Sequence, residues 1–116
     1  MAVASSLPQA QIDAALDAAG LGQFVSVRIS GHDDVPPDRG KPAPDVYRAA
    51  AAALRLDPRD CAALEDSSTG LASARGAGCY VIAVSNLVNA EREFEDADTV
   101  CASLFEALSM LKKIWR

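Results

Sequence analysis

The hydrophobic positions change their period along the chain, and each change marks an element. Ala2 to Ala4 is a short apolar run ending in Ser5-Ser6; from Pro8 the residues Ile12, Ala15, Leu16 and Ala19 recur at helical spacing until Gly20 stops them. Phe24 to Ile29 alternates Val25, Val27 and Ile29 with Ser26 and Arg28, the period-two pattern of a strand with one wetter face, as near a sheet edge. A loop with His32, Asp33, Asp34 and several prolines follows, and Pro42-Ala43-Pro44 leads into an alanine-rich helix predicted over 45–56. Asp57-Pro58 turns the chain into Cys61 to Leu64, a wholly apolar run that stops at Glu65-Asp66, and Thr69 to Ala77 has helical composition closed by Gly78. Tyr80 to Val84 is strand-forming, Asn86 to Ala97 polar and irregular, and Ala97 to Cys101 a further short strand. Ser103-Leu104-Phe105-Glu106 is a capping-box pattern ahead of a last helix whose Lys112, Lys113 and Arg116 suit its negative end.

Strands alternating with helices at this spacing imply right-handed βαβ crossovers. The expected fold class is α/β, a three-layer, Rossmann-like, mostly parallel sheet, in one domain over residues 1–116. Half of the 116 residues are hydrophobic and 23% charged, which supports a packed core. The formal net charge of −5 offers nucleic acid and acidic membrane surfaces little attraction. No apolar run approaches the ~18 residues of a membrane span, and no secretory leader is recognisable, so a cytoplasmic location is expected. Cys61, Cys79 and Cys101 are odd in number and lack any CxxC spacing, which fits reduced, packed thiols.

In a parallel sheet the C-terminal strand ends share one edge, and ligands bind there. Three polar features fall at that edge: Ser5-Ser6, Lys41 in the loop beyond the second strand, and Glu65-Asp66 after the third. A hydroxyl with free N–H groups at a helix start, together with a lysine, is a way to hold a phosphate, and adjacent carboxylates can hold magnesium. Taken singly, each has a plainer explanation: the serines as helix caps, Lys41 as a solvated loop residue, the acids as decoration of a helix N-terminus. His32 in its Pro-rich loop is assigned no role, and Cys61 and Cys79 are assigned to core packing.

Gly40-Lys41-Pro42-Ala43-Pro44-Asp45-Val46-Tyr47, then Leu64-Glu65-Asp66-Ser67-Ser68-Thr69-Gly70-Leu71, then Ala74 to Val84, resemble the C-terminal half of the core of a haloacid dehalogenase (HAD) superfamily hydrolase, nearest the beta-phosphoglucomutase-like phosphatases. The resemblance implies magnesium-dependent phosphoryl transfer on a small phosphorylated metabolite. It makes Ser5 the strand-end hydroxyl that bonds the phosphoryl group, with the Ser6 N–H beside it. Lys41 becomes the lysine that neutralises the phosphoryl oxygens, Asp66 the more direct magnesium ligand, and Glu65 a ligand or its support. The family opens with a strand ending in Asp-x-Asp, which supplies the nucleophile and the general acid and base, followed by a cap domain. This chain is read as lacking both.

Without that carboxylate no aspartyl-phosphate forms, because Ser5 and Lys41 have no adjacent activating base. The chain is therefore expected to be inactive or nearly so by itself, and to hold Mg2+ weakly. The absent strand lies, in the family fold, between the strands ending at Ser5 and Leu64, so two strand edges stand open for closure onto each other, for a complementing chain, or for a homodimer, of which self-association is the expected outcome. The competing reading is a non-catalytic module that binds a phosphorylated ligand or another protein.

Overall fold

The predicted alternation appears, in a computed structural model that describes residues 1–85 and 95–114, as β1 (Ala2–Ser5), α1 (Gln9–Ala18), β2 (Val27–Ser30), α2 (Asp45–Ala53), β3 (Ala62–Glu65), α3 (Ser68–Ala77), β4 (Tyr80–Val84), β5 (Thr99–Cys101) and α4 (Leu104–Ile114). Of the irregular stretch expected from Asn86, residues 86–94 lie outside the described residues, as does Arg116. Among the described residues no helix is long and apolar enough to cross a membrane.

Every strand pairing is parallel, but the strands divide between two ladders. β1 pairs with β2 (Ala2 opposite Val27, Ser5 opposite Ser30), while β4 lies between β3 and β5 (Ala62 opposite Tyr80, Val84 opposite Cys101). The β1 and β3 edges expected to be open have not closed onto each other. Period two decides what each face of β4 touches: Val81 and Ala83 pack with Leu71 and Ala74 of α3, and Ile82 packs with Cys101 and Ala107 on the α4 side. On the smaller ladder, Val3 packs against Ile12, Leu16 and Val25. α2 touches β1, β2 and α3, so it is the element that ties the two ladders together.

Two expected boundaries move. The strand predicted from Phe24 begins at Val27, because Gly22–Phe24 forms a 3-10 turn and the buried Val25 enters the α1 core ahead of the ladder. The helix predicted through Leu56 ends at Ala53. There Leu56 N bonds Ala51 O and Arg55 N bonds Ala52 O, a left-handed stop with Arg55 at φ 60. Glycine takes that conformation without the steric cost borne by arginine, so Arg55→Gly should stabilise the domain by about 1 kcal/mol, read as a higher urea midpoint at unchanged m.

The other helix ends follow their sequence signals. Gly78 stops α3 at φ 98, and Ser67 Oγ accepts from Gly70 N at 3.1 Å at its start. In the capping box Ser103 Oγ accepts from Glu106 N at 3.1 Å, while the Glu106 carboxylate reaches one residue further back, to Ala102 N at 2.9 Å. The start of α1 is held from a distance: Asp33 Oδ2 accepts from Gln9 N at 2.7 Å. The Gln9 amide and then the His32 ring hold the Asp33 carboxyl below its ordinary range.

Candidate functional site

β1 and β3 run in the same sense, since Ser5 and Glu65 meet at one end of the groove between them and Ala2 and Ala62 at the other. Their C-terminal ends and the loop before α2 enclose a cavity of about 670 Å3 lined by Ser5, Ser6, Lys41, Glu65 and Asp66, with Ser67 and Thr69 at the start of α3. All five residues expected to share a site therefore border one space. The opposite wall is apolar, from Leu64, Val84, Leu104 and Phe105.

Lys41 is placed by two anchors. Its Nζ donates to the Ala4 carbonyl at 3.0 Å and to Glu65 Oε1, so one ammonium links β1 to β3 across the gap between the ladders. Its peptide bond to Pro42 is cis. The Lys41 and Glu65 side chains are only 10% and 8% exposed, which sets this pair apart from the solvated ion pairs elsewhere on the surface.

Tyr47, in the first turns of α2, donates its hydroxyl to the same Glu65 Oε1 at 2.5 Å, and its ring centroid lies 5.3 Å from Lys41 Nζ. Burial first, and then the Glu65 carboxylate, push the Tyr47 phenol well above its ordinary value. Sequence reasoning gave Tyr47 no role; its place six residues after Lys41, at the start of a helix facing the strand ends, was the available signal.

Glu65 thus serves as acceptor for Lys41 and Tyr47 and points beneath α3, where the absence of a side chain at Gly70 makes room for it. Asp66 is exposed beside the cavity. Magnesium is commonly held by one or two carboxylates with water and substrate phosphate making up the rest. Among the described residues no group of three or more His, Cys, Asp or Glu is gathered. Of the two expected ligands, Glu65 is engaged by Lys41 and Tyr47, and Asp66 is the one whose side chain is exposed at the cavity, where it could meet such an ion.

Ser5 Oγ accepts from Leu7 N at 3.2 Å, a local cap that leaves the hydroxyl proton free to donate. Ser30, wholly buried, fixes the neighbouring loop: its Oγ donates to Leu7 O at 2.7 Å and accepts from Asp33 N at 3.0 Å, and Gly31 N bonds Ser5 O at 2.7 Å. His32 pairs with Asp33 away from the cavity.

The expected lack of an Asp-x-Asp triplet needs correction: Asp96-Ala97-Asp98 is one. It precedes β5, where Asp98 Oδ2 accepts from Val81 N at 2.7 Å and Arg75 bonds Asp96 O at 3.0 Å. The triplet fastens β4 to the chain before β5 and does not line the cavity.

The three thiols are unpaired. Burial pushes Cys79 up to about 11, so between its ordinary value near 9 and pH 11 the folded chain keeps a proton the unfolded chain has released. Stability should therefore fall as pH rises through that window, Tyr47 acting in the same direction. Urea unfolding at pH 8 and pH 10.5 checks this, with the lower midpoint expected at pH 10.5.

Comparison with known proteins follows the same lines. The haloacid dehalogenase-like hydrolase family matches residues 1–78. The chain is 37% identical over 107 residues to a bifunctional riboflavin kinase/FMN phosphatase of Arabidopsis thaliana, covering 91% of this chain and 27% of that protein. It superposes on the putative beta-phosphoglucomutase of Thermotoga maritima with a TM-score of 0.87 at 28% identity, covering 97% of this chain and 52% of the other. It superposes on CbbY from Rhodobacter sphaeroides in complex with phosphate with a TM-score of 0.77 at 32% identity, covering 90% and 47% respectively. The chain thus spans a quarter to a half of the proteins it matches.

Proposed function

This chain belongs to the haloacid dehalogenase-like hydrolases, and from that premise we propose that it is the phosphate- and magnesium-binding half of a phosphatase or phosphomutase core acting on a small phosphorylated metabolite. The supporting observation is the shared cavity, where hydroxyl, ammonium and carboxylate arrive from β1, the loop before α2, and the end of β3. Phosphoryl transfer is mostly positioning and charge compensation, which these groups supply. Ser5 Oγ and the Ser6 N–H take phosphoryl oxygens, Lys41 neutralises the charge on them, and Asp66 holds magnesium, which when bound polarises a phosphoryl oxygen. An FMN phosphatase and a phosphate-bound CbbY among the similar proteins support the substrate class. Three unpaired thiols suit a reducing, cytoplasmic compartment.

The same cavity favours a silent site in the chain alone. Among the described residues its carboxylates are Glu65, already taken by Lys41 and Tyr47, and Asp66. Among the described residues no base is hydrogen-bonded to the Ser5 hydroxyl to activate it. This supports the second reading, a module that binds a phosphorylated ligand without turning it over. A phosphate-ester assay separates them. The pure chain with magnesium should show no turnover, and adding a polypeptide that carries an Asp-x-Asp strand should restore it, with loss again in Asp66→Ala. Turnover by the pure chain that survives Lys41→Ala and Asp66→Ala would overturn the assignment, and ligand binding with no recovery would establish the binding module.

A further inference from the structure

We propose that Ser30 and Ser73 are positioning residues of the phosphate site, Ser30 setting the Ser6 N–H and Ser73 setting Lys41. This rests on the proposed phosphate-binding role of the cavity. Burying a polar group costs stability unless a defined partner meets it, so a small core keeps such a group where it holds that partner in place. Among the described residues three polar or charged residues are buried: Glu65, Ser30 and Ser73. Glu65 lines the cavity itself. The two serines lie behind it, wholly buried, and each donates its proton to a loop that borders it.

The direction of the Ser30 bond is settled by its other partners. Its Oγ accepts from Asp33 N at 3.0 Å and from His32 N at 3.2 Å, which fills both lone pairs and commits the proton to Leu7 O at 2.7 Å. The next residue, Gly31, donates its N–H to Ser5 O at 2.7 Å. Ser30 and Gly31, at and just beyond the end of β2, thus hold the carbonyls on either side of Ser6. A trans peptide unit is planar, so tying Ser5 O also fixes the Ser6 N–H, which shares that plane and points the opposite way. Removing the Ser30 hydroxyl leaves Ser6 clamped on one side only.

Ser73 does for Lys41 what Ser30 does for Ser6. A serine inside a helix commonly turns back to the carbonyl one turn before it. Ser73 lies within α3 between Leu71 and Ala74 of the apolar cluster, and it donates instead to Ala43 O, in the loop before α2, at 2.6 Å. Ala43 N in turn donates to Gly40 O at 3.0 Å, so Lys41 sits inside a turn whose far end Ser73 holds. One helical turn on, Gly76 lets Pro44 approach, since a Cβ there would lie 3.4 Å from Pro44 Cβ. α3 therefore docks on the Lys41 loop, while Ser67 and Thr69 at its start border the cavity and Gly70 makes room for Glu65. Without the Ser73 hydroxyl the polar tie from α3 to that turn is gone, and Lys41 keeps its two anchors on a loop free to shift.

The test is NMR of the full chain, isotope-labelled on backbone nitrogen and on lysine Cε, titrated with inorganic phosphate at saturating magnesium. Ser30→Ala and Ser73→Ala should each weaken phosphate binding about tenfold. The losses should divide by loop: Ser30→Ala removes the phosphate shift at the Ser6 amide and keeps that at Lys41 Cε, and Ser73→Ala does the reverse. Ser30→Thr, which returns the hydroxyl, should bind within about twofold of wild type. Ile82→Val, trimmed on the α4 side of β4, should lower the urea midpoint at unchanged affinity. Where alanine costs the fold, Ser30→Cys and Ser73→Cys fill the space with a weaker donor and should show the same division. Equal affinity in wild type and both serine variants, or loss of both signals together in every destabilised variant, Ile82→Val included, would overturn the proposal and leave the phosphate site standing. No saturable phosphate binding by wild type would overturn the phosphate site, and this proposal with it.

Discussion

Gly70→Ala should destabilise the domain by about 2–4 kcal/mol and abolish phosphate binding together. A Cβ at position 70 would lie 2.6 Å from Glu65 Oε1 and closer still to Cδ and Oε2. A free glutamate would swing aside at little cost. Glu65 is not free: its side chain is 8% exposed and accepts from both Lys41 and Tyr47. Accommodating the methyl group means breaking that arrangement, so stability and site fail in one substitution. Gly76→Ala is the control, in the same helix but with Pro44 Cβ at an ordinary 3.4 Å. It should leave phosphate binding intact and raise stability by about 0.5–1 kcal/mol, the helix-propensity difference. Urea titrations of the two variants check both; equal effects would show that Glu65 is not held in place.

Glu65→Ala is the second large effect. Removing the carboxylate leaves the Lys41 ammonium buried without a counter-ion and the Tyr47 hydroxyl without its acceptor, a loss of about 3–5 kcal/mol for a broken buried pair. Against a total stability of roughly 5–15 kcal/mol this leaves a marginal fold. Replacing both partners by apolar groups avoids the stranded charge, so Glu65→Leu with Lys41→Met should recover much of the stability while the phosphate site stays lost. Thermal unfolding of the single and double variants separates the roles. If the double variant is as unstable as Glu65→Ala, the pair contributes to the fold through more than its charges.

Much of this was legible in the chain because local signals and tertiary packing agree. Gly20 and Gly78 sit where helices stop, Ser67 and Ser103 cap helices, and Tyr80–Val84 forms a strand with the boundaries its composition indicated. Ser5, Lys41 and Asp66 were legible as strand-end and loop residues that a parallel sheet brings to one edge. Features that depend on long-range contact were not. Asp33 caps a helix 24 residues before it, and Tyr47 reaches Glu65 across 18 residues; neither pairing has a periodic or short-range signature. Arg55 at positive φ also went unseen, because arginine carries none of the signal by which glycine marks a helix end. The division of the strands into two ladders follows from pairing geometry that composition does not encode.

The most direct measurement is an amide-resolved NMR titration of the chain with inorganic phosphate at saturating magnesium. Shifts should concentrate at Ser5, Ser6, Asp66, Ser67 and Thr69. They should disappear in Lys41→Met and require magnesium in wild type but not in Asp66→Asn. Shifts scattered over the surface, or centred elsewhere and unchanged in Lys41→Met, would show that β1, the Lys41 loop and the end of β3 do not meet around one anion.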